Sequence, residues 1–178
     1  MRKEQKANYP ESARGAAALL VRMVLEDGAY TNIALNQYLR GSRLSDLDRR
    51  LATELVYGTV KARGTLDWYL AQCVSRPLDK VAGDILAILR ISTYQLLYMT
   101  RIPASAAVNE AVKLARSVSH EGSAKFVNGV LRGLLRKQEA GAFVLPDAEK
   151  QDADYLSLQY YHPRWLVKRW LGPWGRSF

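Results

Sequence analysis

The segment Ile85–Tyr98, with the sequence ILAILRISTYQLLY, constrains the fold most, because it is apolar on nearly every side. A helix with apolar residues all round is buried in the middle of a bundle. Arg90 is its one charged residue, and a buried unpaired charge is very costly, so we expect Asp67 or Asp84 to pair with it. The segment therefore predicts a bundle built around one central helix.

Helical periodicity continues on both sides of that segment, and no alternating stretch bounded by Asn-Gly or Asp-Gly turns predicts a strand. Capping residues, glycines and prolines divide the chain into further helices. We predict these helices at Ser12–Glu26, Asn32–Leu39, Ser45–Val60, Thr65–Val74 and Ser123–Lys137, and a further helix that Ser105 caps. Gly64 interrupts the helical pattern between the third and the fourth of them. The prediction is an all-α fold with a short helical C-terminal extension.

The last of these helices is strongly amphipathic. Opposite its apolar side, Lys125, Arg132 and Arg136 fall within about 80° of one another. Gly129 and Gly133 each cost about 1 kcal/mol of helix propensity. We therefore expect another backbone to pack closely against these two glycines.

The formal net charge of +9 is distributed in blocks. Residues 113–137 carry six bases against Glu121 alone, residues 138–160 carry one base against five acids, and residues 161–178 carry four bases and no acid. Such blocks favour a basic surface that faces a polyanion, the alternative being a merely basic cytosolic protein. The polar N-terminus and the lack of a long apolar run predict a cytoplasmic protein without a membrane span.

Residues suited to catalysis are few. Cys73 is the one cysteine, which excludes an internal disulfide, and we interpret it as a structural thiol. His120 and His162 are the only histidines, and neither has the neighbours of a catalytic triad or of a metal site. There is no strand followed by a glycine-rich phosphate loop. We predict no catalytic residue, metal site or cofactor site in this chain.

Three blocks of the chain carry a specific resemblance: Ile85–Leu97, Ile102–Arg116 and Lys125–Leu131, the last reading KFVNGVL. Together with Asp48–Val60 upstream, they resemble the NusB family, an all-helical RNA-binding fold. The resemblance covers residues 12–138. It implies two packed three-helix subdomains and RNA as a partner.

A further block, Tyr155–Trp170, resembles the junction in bacterial 16S rRNA cytosine-C5 methyltransferases of the RsmB (Sun/Fmu) type. There a NusB-like domain leads into a catalytic domain that uses S-adenosylmethionine and two cysteines. The resemblance implies a substrate-positioning domain for 16S rRNA that is itself non-catalytic. We then expect a flexible basic N-terminus at 1–11, the NusB-like domain at 12–138, a linker at 139–154, and at 155–178 the start of the junction, truncated before the catalytic domain.

Two other functions remain open from the sequence. One is a stand-alone NusB-type transcription antitermination factor that binds RNA together with a ribosomal protein. The other is a protein-interaction domain in which the basic faces only confer solubility. The C-terminal block favours the methyltransferase, because a free antitermination factor has no use for it.

The candidate RNA-binding residues are cations that we expect no acid to neutralise. The resemblance implies an N-terminal group, and helical spacing places two of its arginines about 80° apart on the first helix. The amphipathic helix supplies the second group. The candidates are Lys3, Lys6, Arg14 and Arg22 in the first group, and Lys125, Arg132 and Arg136 in the second. Arginine suits this task because its fork binds phosphate and stacks on bases.

The C-terminal extension alternates aromatic and basic residues. Trp165, Leu166 and Trp170 share one side of a short helix, whereas its bases lie along another side. We expect this apolar side to dock against the bundle or against the protein's own catalytic domain. The alternative is an aromatic and basic strip on which unpaired RNA bases stack.

Overall fold

The computed structural model describes residues 7–146, 152–160 and 165–169. Within these ranges the chain is helical with connecting loops and no strand, which confirms the predicted all-α class. The helices are α1 (Ala13–Leu25), α2 (Thr31–Gly41), α3 (Asp46–Lys61), α4 (Arg63–Ala71), α5 (Gly83–Tyr98), α6 (Ala104–Val118), α7 (Glu121–Glu139) and α8 (Asp152–Tyr160), with a short 3-10 helix at Leu78–Lys80. Residues 165–169 are also helical.

Helix α5 is the central helix, as its apolar sequence predicts. It packs against α1, α3, α4, α6 and α7. Every residue from Ile85 to Thr93 is buried, and Ile88 and Leu89 have no exposed surface. Helices α1, α2 and α3 pack together on one side of it, and α6 and α7 pack together on the other. The core therefore forms around α5, and the outer faces of the surrounding helices meet solvent.

The buried Arg90 is paired, as its burial requires. Its Nε and Nη2 donate to the two carboxylate oxygens of Asp67 at 2.8 and 3.0 Å. Its Nη1 donates to Glu26 at 3.0 Å. The predicted Asp67 partner is confirmed, whereas Asp84 pairs with Arg22 instead. Glu26 was missed because it lies 64 residues away in the sequence and its contact depends on how α1 packs.

The predicted boundaries at the starts of α4 and α6 are wrong. The break between α3 and α4 falls at Ala62, and Gly64 lies inside α4. Helix α6 begins at Ala104 with Pro103 at the N-cap and no side-chain cap, so Ser105 is an interior residue. The ring of Pro103 fixes φ, which is −58° here, and so sets the direction in which the chain enters α6.

The C-terminal extension lies against α4. The loop at 140–146 places the ring of Phe143 4.8 Å from that of Tyr69 and 6.2 Å from that of Trp68. Helix α8 packs on α4, where Thr65 Oγ1 donates to the carbonyl of Leu158 at 2.9 Å. Of the N-terminus predicted to be flexible at 1–11, residues 1–6 lie outside the described residues. Within the described part of the chain, no helix is long and apolar enough to cross a membrane.

Candidate nucleic-acid interface

The outer face of α7 carries the basic stripe, which we define as Lys125, Arg132 and Arg136. All three side chains are exposed. The opposite face of the helix is buried in the core through Val127 and Leu134, which have no exposed surface. The amphipathic arrangement predicted for this helix is therefore present, and the RNA-binding role of the stripe stays a prediction.

Two cations of the basic stripe, Arg132 and Arg136, form no ion pair within the described part of the chain, whereas Lys125 interacts electrostatically with Glu121. Arg132 Nε donates to the uncharged amide oxygen of Asn128 at 2.9 Å, and no ion pair joins the stripe to a described carboxylate. The acid near the start of α7, Glu121, accepts from Arg116 Nε at 2.6 Å. This hydrogen bond lowers the pKa of Glu121. The stripe thus keeps its positive potential.

Two further cations lie near the start of α7 and were missed by sequence reasoning. Arg76 and Lys80 come from the region of the 3-10 helix, and the Arg76 guanidinium lies 4.7 Å from the ring centroid of Phe126. They border an open cavity of about 330 Å³. The lining residues are Arg76, Lys80, Val81, Ala82, Ile85, Ser119, His120, Gly122, Ser123 and Phe126. Only the fold brings these segments together, because each cation is more than forty residues from Phe126 in the sequence.

His120 is the N-cap of α7. Its Nδ1 accepts from the backbone N–H of Ser123 at 3.2 Å, and its Nε2 lies 3.3 Å from the Ser123 hydroxyl. The helix therefore begins at Glu121, two residues before the predicted start. Sequence reasoning looked for Ser, Thr, Asp or Asn as the capping residue and passed over the imidazole.

Gly129 and Gly133 of α7 have no packing partner among the described residues. A Cβ at Gly129 would meet nothing within 4 Å, and one at Gly133 would meet only the end of the Arg136 side chain, at 3.8 Å. The expected close contact with another backbone is therefore absent from the described part of the chain. The surface of α7 at these glycines is therefore open, and an external chain can approach the helix backbone there, beside the basic stripe.

The two arginines predicted on α1 have different environments. Arg22 Nε lies 3.0 Å from Asp84, so an acid compensates its charge. Arg14 Nε donates instead to the Gln95 amide oxygen at 2.8 Å and forms no ion pair with a described carboxylate. Only Arg14 therefore meets the criterion of an uncompensated cation. The other predicted residues of this group, Lys3 and Lys6, lie outside the described residues.

The chain just before α1 is fastened to the bundle. The Tyr9 hydroxyl donates to Asp84, and Ala7 and Tyr9 pack against the core. Burial, followed by this hydrogen bond to a carboxylate, raises the pKa of Tyr9. Because Gly15 has no side chain, the carbonyl of Pro10 lies where a Cβ would otherwise be. The path of the chain into α1 is thereby fixed.

No arrangement typical of an active site is found in the described residues. Cys73 is partly buried against the core, and burial raises the pKa of its thiol, which suits the structural interpretation. The described part holds no group of three or more His, Cys, Asp or Glu residues that could bind a metal.

The predicted docking residues are partly described. Trp165 is 65% exposed, Leu166 is partly buried, and the neighbouring Val167 is 3% exposed. Trp170 lies outside the described residues. Val167 is thus the most buried of the helical residues 165–169, and the docking role of Trp165 stays a prediction.

Comparison with known proteins gives a consistent family assignment. A family model described as the NusB family matches residues 11–136. The chain is 40% identical to a probable ribosomal RNA small subunit methyltransferase B of Synechocystis sp. over 93% of its own length. It is 37% identical to the probable enzyme of the same name from Bacillus subtilis over 92% of its length. In both cases it spans 36% of the relative's length.

Solved structures share the fold at lower identity. NusB of T. maritima aligns with 75% of this chain and 98% of its own, with a TM-score of 0.65 and 21% identity. NusB from a complex of the antitermination factors NusB and NusE with dsRNA aligns with 71% of this chain and 95% of its own, also with a TM-score of 0.65, at 20% identity. At this identity the likeness establishes the helical architecture.

Proposed function

The chain belongs to the NusB family, and from this membership and the basic surface of α7 we propose that it binds RNA as the substrate-positioning N-terminal domain of a 16S rRNA cytosine-C5 methyltransferase. The domain holds the rRNA while a separate catalytic domain transfers the methyl group. The proposal places the protein in the cytoplasm, where bacterial ribosomal RNA is made and modified.

One observation carries the RNA-binding part of the proposal, namely that Arg132 and Arg136 of the basic stripe have no acidic partner among the described residues. Uncompensated Lys and Arg side chains attract phosphates and displace their counterions. The open surface at Gly129 and Gly133 lets a phosphodiester backbone come close to these cations. Arg76, Lys80 and Phe126 line a cavity near the start of the same helix and add two cations, one of which lies over the Phe126 ring.

The C-terminal extension supports the methyltransferase over the antitermination factor. The relatives named as rRNA methyltransferases align over 92–93% of the chain, whereas the NusB family model ends at residue 136. We infer that Trp165, Leu166 and Trp170 dock against the catalytic domain of the same protein. The 65% exposure of Trp165 supports this, because an exposed tryptophan on a short helix leaves apolar surface for a partner to cover.

Enzymes of this kind use S-adenosylmethionine, and the described residues do not fit that cofactor. They include no strand, and hence no strand, glycine-rich loop and helix in succession to hold a nucleoside. In the proposed enzyme the cofactor belongs to the catalytic domain, and the present residues contribute RNA binding alone.

A salt titration tests the proposal. If the cations of this surface contact about four to six phosphates of single-stranded RNA, log affinity falls against log salt with a slope of about −3 to −4. The double variant Arg132→Glu/Arg136→Glu should reduce affinity for a 16S rRNA transcript and make the slope shallower. Its stability should be unchanged, because both side chains are exposed.

The matched control is Arg40→Glu/Arg50→Glu, which makes the same change in net charge at exposed positions of α2 and α3. It should affect RNA binding much less than the α7 variant does. Equal losses for the two variants would assign the binding to net charge alone. If the RNA affinity of the wild type does not depend on salt, the proposed RNA surface is wrong.

A further inference from the structure

Arg14 is held in place by an uncharged side chain. Its Nε donates to the amide oxygen of Gln95 at 2.8 Å, across the interface between α1 and α5. Because this bond uses only the Nε position, the two terminal Nη groups of the guanidinium stay available. An amide oxygen carries no net charge, so it does not compensate the positive charge of the guanidinium, whereas a carboxylate would.

Gln95 is itself fixed. Its side chain is 1% exposed, and its Nε2 donates to the carbonyl of Ile91 one turn earlier at 3.1 Å. With its amide nitrogen bound to the helix backbone, its amide oxygen has to point toward Arg14. A buried amide of this kind holds a hydrogen-bond partner in one orientation, since its own rotation would leave polar atoms unsatisfied.

The other arginines at the interfaces with α5 are neutralised. Arg22 meets Asp84 near the start of α5, and Arg90 meets two acids. The partner at position 95 is instead a glutamine, which accepts from Arg14 through its amide oxygen and donates to the Ile91 carbonyl through its amide nitrogen. The neutral partner keeps one oriented cation free of compensation by any described acid.

We infer that Gln95 is a positioning residue, which orients the Arg14 guanidinium so that its terminal nitrogens bind an RNA phosphate. The inference rests on the proposed RNA-binding function and adds a phosphate contact outside α7. The cavity beside α7 touches α5 at Ile85, and Gln95 lies ten residues further, about 15 Å along the helix. The Arg14 contact thus belongs to a second segment of the bound RNA.

The substitution Gln95→Glu tests this role directly. A glutamate at this position keeps the hydrogen bond from Arg14 Nε and compensates the charge of Arg14, but it loses the bond that the Gln95 amide nitrogen donates to the Ile91 carbonyl. Affinity for a labelled single-stranded 16S rRNA fragment should fall about fivefold to tenfold at 0.1 M salt, and the salt slope should become shallower by about 0.7. The melting temperature should fall, because the carboxylate is buried and leaves the Ile91 carbonyl without its donor, so the change of salt slope is the readout specific to the charge of Arg14.

Arg14→Lys is the second variant, which keeps the charge and loses the Nε bond to Gln95. We expect weaker RNA binding with the salt slope retained, because the ammonium is no longer oriented. This variant keeps the inference testable if Gln95→Glu fails to fold. Gln37→Glu on the exposed side of α2 is the control for a generic change of one charge, and it should bind RNA as the wild type does.

The outcomes separate the inference from the proposed function. If the wild type binds RNA and Gln95→Glu binds it with the same affinity and the same salt slope, the positioning role of Gln95 is wrong. The proposed α7 surface is then unaffected. A parallel loss of stability and affinity, without a change of slope, would make Gln95 a structural residue only. If the wild type does not bind the rRNA fragment, both the proposed function and this inference fail.

Discussion

At position 90 the burial of a guanidinium depends on acids from two other helices. Arg90 is 3% exposed, and its hydrogen bonds reach Asp67 on α4 and Glu26 next to α1. Removing one partner of a buried ion pair costs much more than the pair contributes, because the remaining charge stays in a poorly solvated place. The stability of the bundle is therefore sensitive to single substitutions at this residue and its partners.

We expect Asp67→Ala to lower the free energy of unfolding by about 3 kcal/mol, since it removes both bonds to one edge of the buried guanidinium. Glu26→Ala should cost less, because the side chain of Glu26 is 38% exposed and water can replace it. Urea denaturation of both variants measures these effects. The control is Asp79→Ala at an exposed position, which should change stability by less than about 0.5 kcal/mol. Equal effects of Asp67→Ala and Asp79→Ala would contradict the assigned role of the network.

The histidine cap of α7 makes a second prediction at this scale. His120→Ala removes the acceptor of the Ser123 N–H and should destabilise the protein by about 1 kcal/mol. His120→Asn supplies another capping oxygen and should restore most of that loss. Thermal unfolding of the wild type and the two variants gives the comparison. If Asn at this position is no better than Ala, the cap does not stabilise α7.

Helix α7 and helix α3 use glycine for opposite reasons. A Cβ at Gly58 on α3 would overlap the ring of Tyr94, so this glycine permits close packing against α5. A Cβ at Gly129 on α7 would meet nothing. Gly58 is packed against Tyr94 inside the bundle, whereas Gly129 leaves the exposed surface of α7 without side-chain atoms at that position.

These environments predict opposite effects of the same substitution. Gly58→Ala should destabilise the protein by about 2 kcal/mol, because Tyr94 or the backbone of α3 has to shift. Gly129→Ala should stabilise it by about 1 kcal/mol through helix propensity alone. Chemical denaturation of the two variants side by side decides the matter. A loss of stability in Gly129→Ala would mean that a neighbour covers this surface.

The elements were largely predictable from sequence, whereas of the contacts discussed here only the pair of Arg90 with Asp67 was predicted. Periodicity identified α5 as the central helix and α7 as amphipathic, because side-chain direction in a helix follows directly from residue spacing. Spacing along one helix says nothing about which distant segment packs beside it. The cavity cations Arg76 and Lys80, the neutral partner of Arg14 and the empty surface over Gly129 were therefore found only in the folded chain.

For the molecule as a whole, α4 joins the bundle to the C-terminal extension. On one side Asp67 binds the buried Arg90, and on the other Thr65 and Trp68 receive α8 and Phe143. The extension is thus attached to the same helix that holds the core ion pair. Its docking and the stability of the bundle should be thermodynamically coupled.

Ending the chain at Pro146 tests this coupling. Loss of α8 and the following helical residues should lower the melting temperature by about 5 °C, and RNA affinity should change less than about twofold. Thr65→Val adds a matched test, because it removes the hydrogen bond to Leu158. We expect a cost of about 1 kcal/mol in the full chain and almost none in the shortened chain. A large loss of RNA affinity at constant stability would instead assign RNA contacts to the extension.

The two acids around Arg90 also set an order of events during folding. Asp67 is 23 residues from Arg90 along the chain, whereas Glu26 is 64 residues away. Closing the shorter loop loses less chain entropy, so α4 and α5 meet at lower entropic cost than α1 and α5 do. A folding chain can therefore bring Arg90 into a nonpolar environment with one charge already satisfied, and the arrival of α1 with Glu26 completes its coordination.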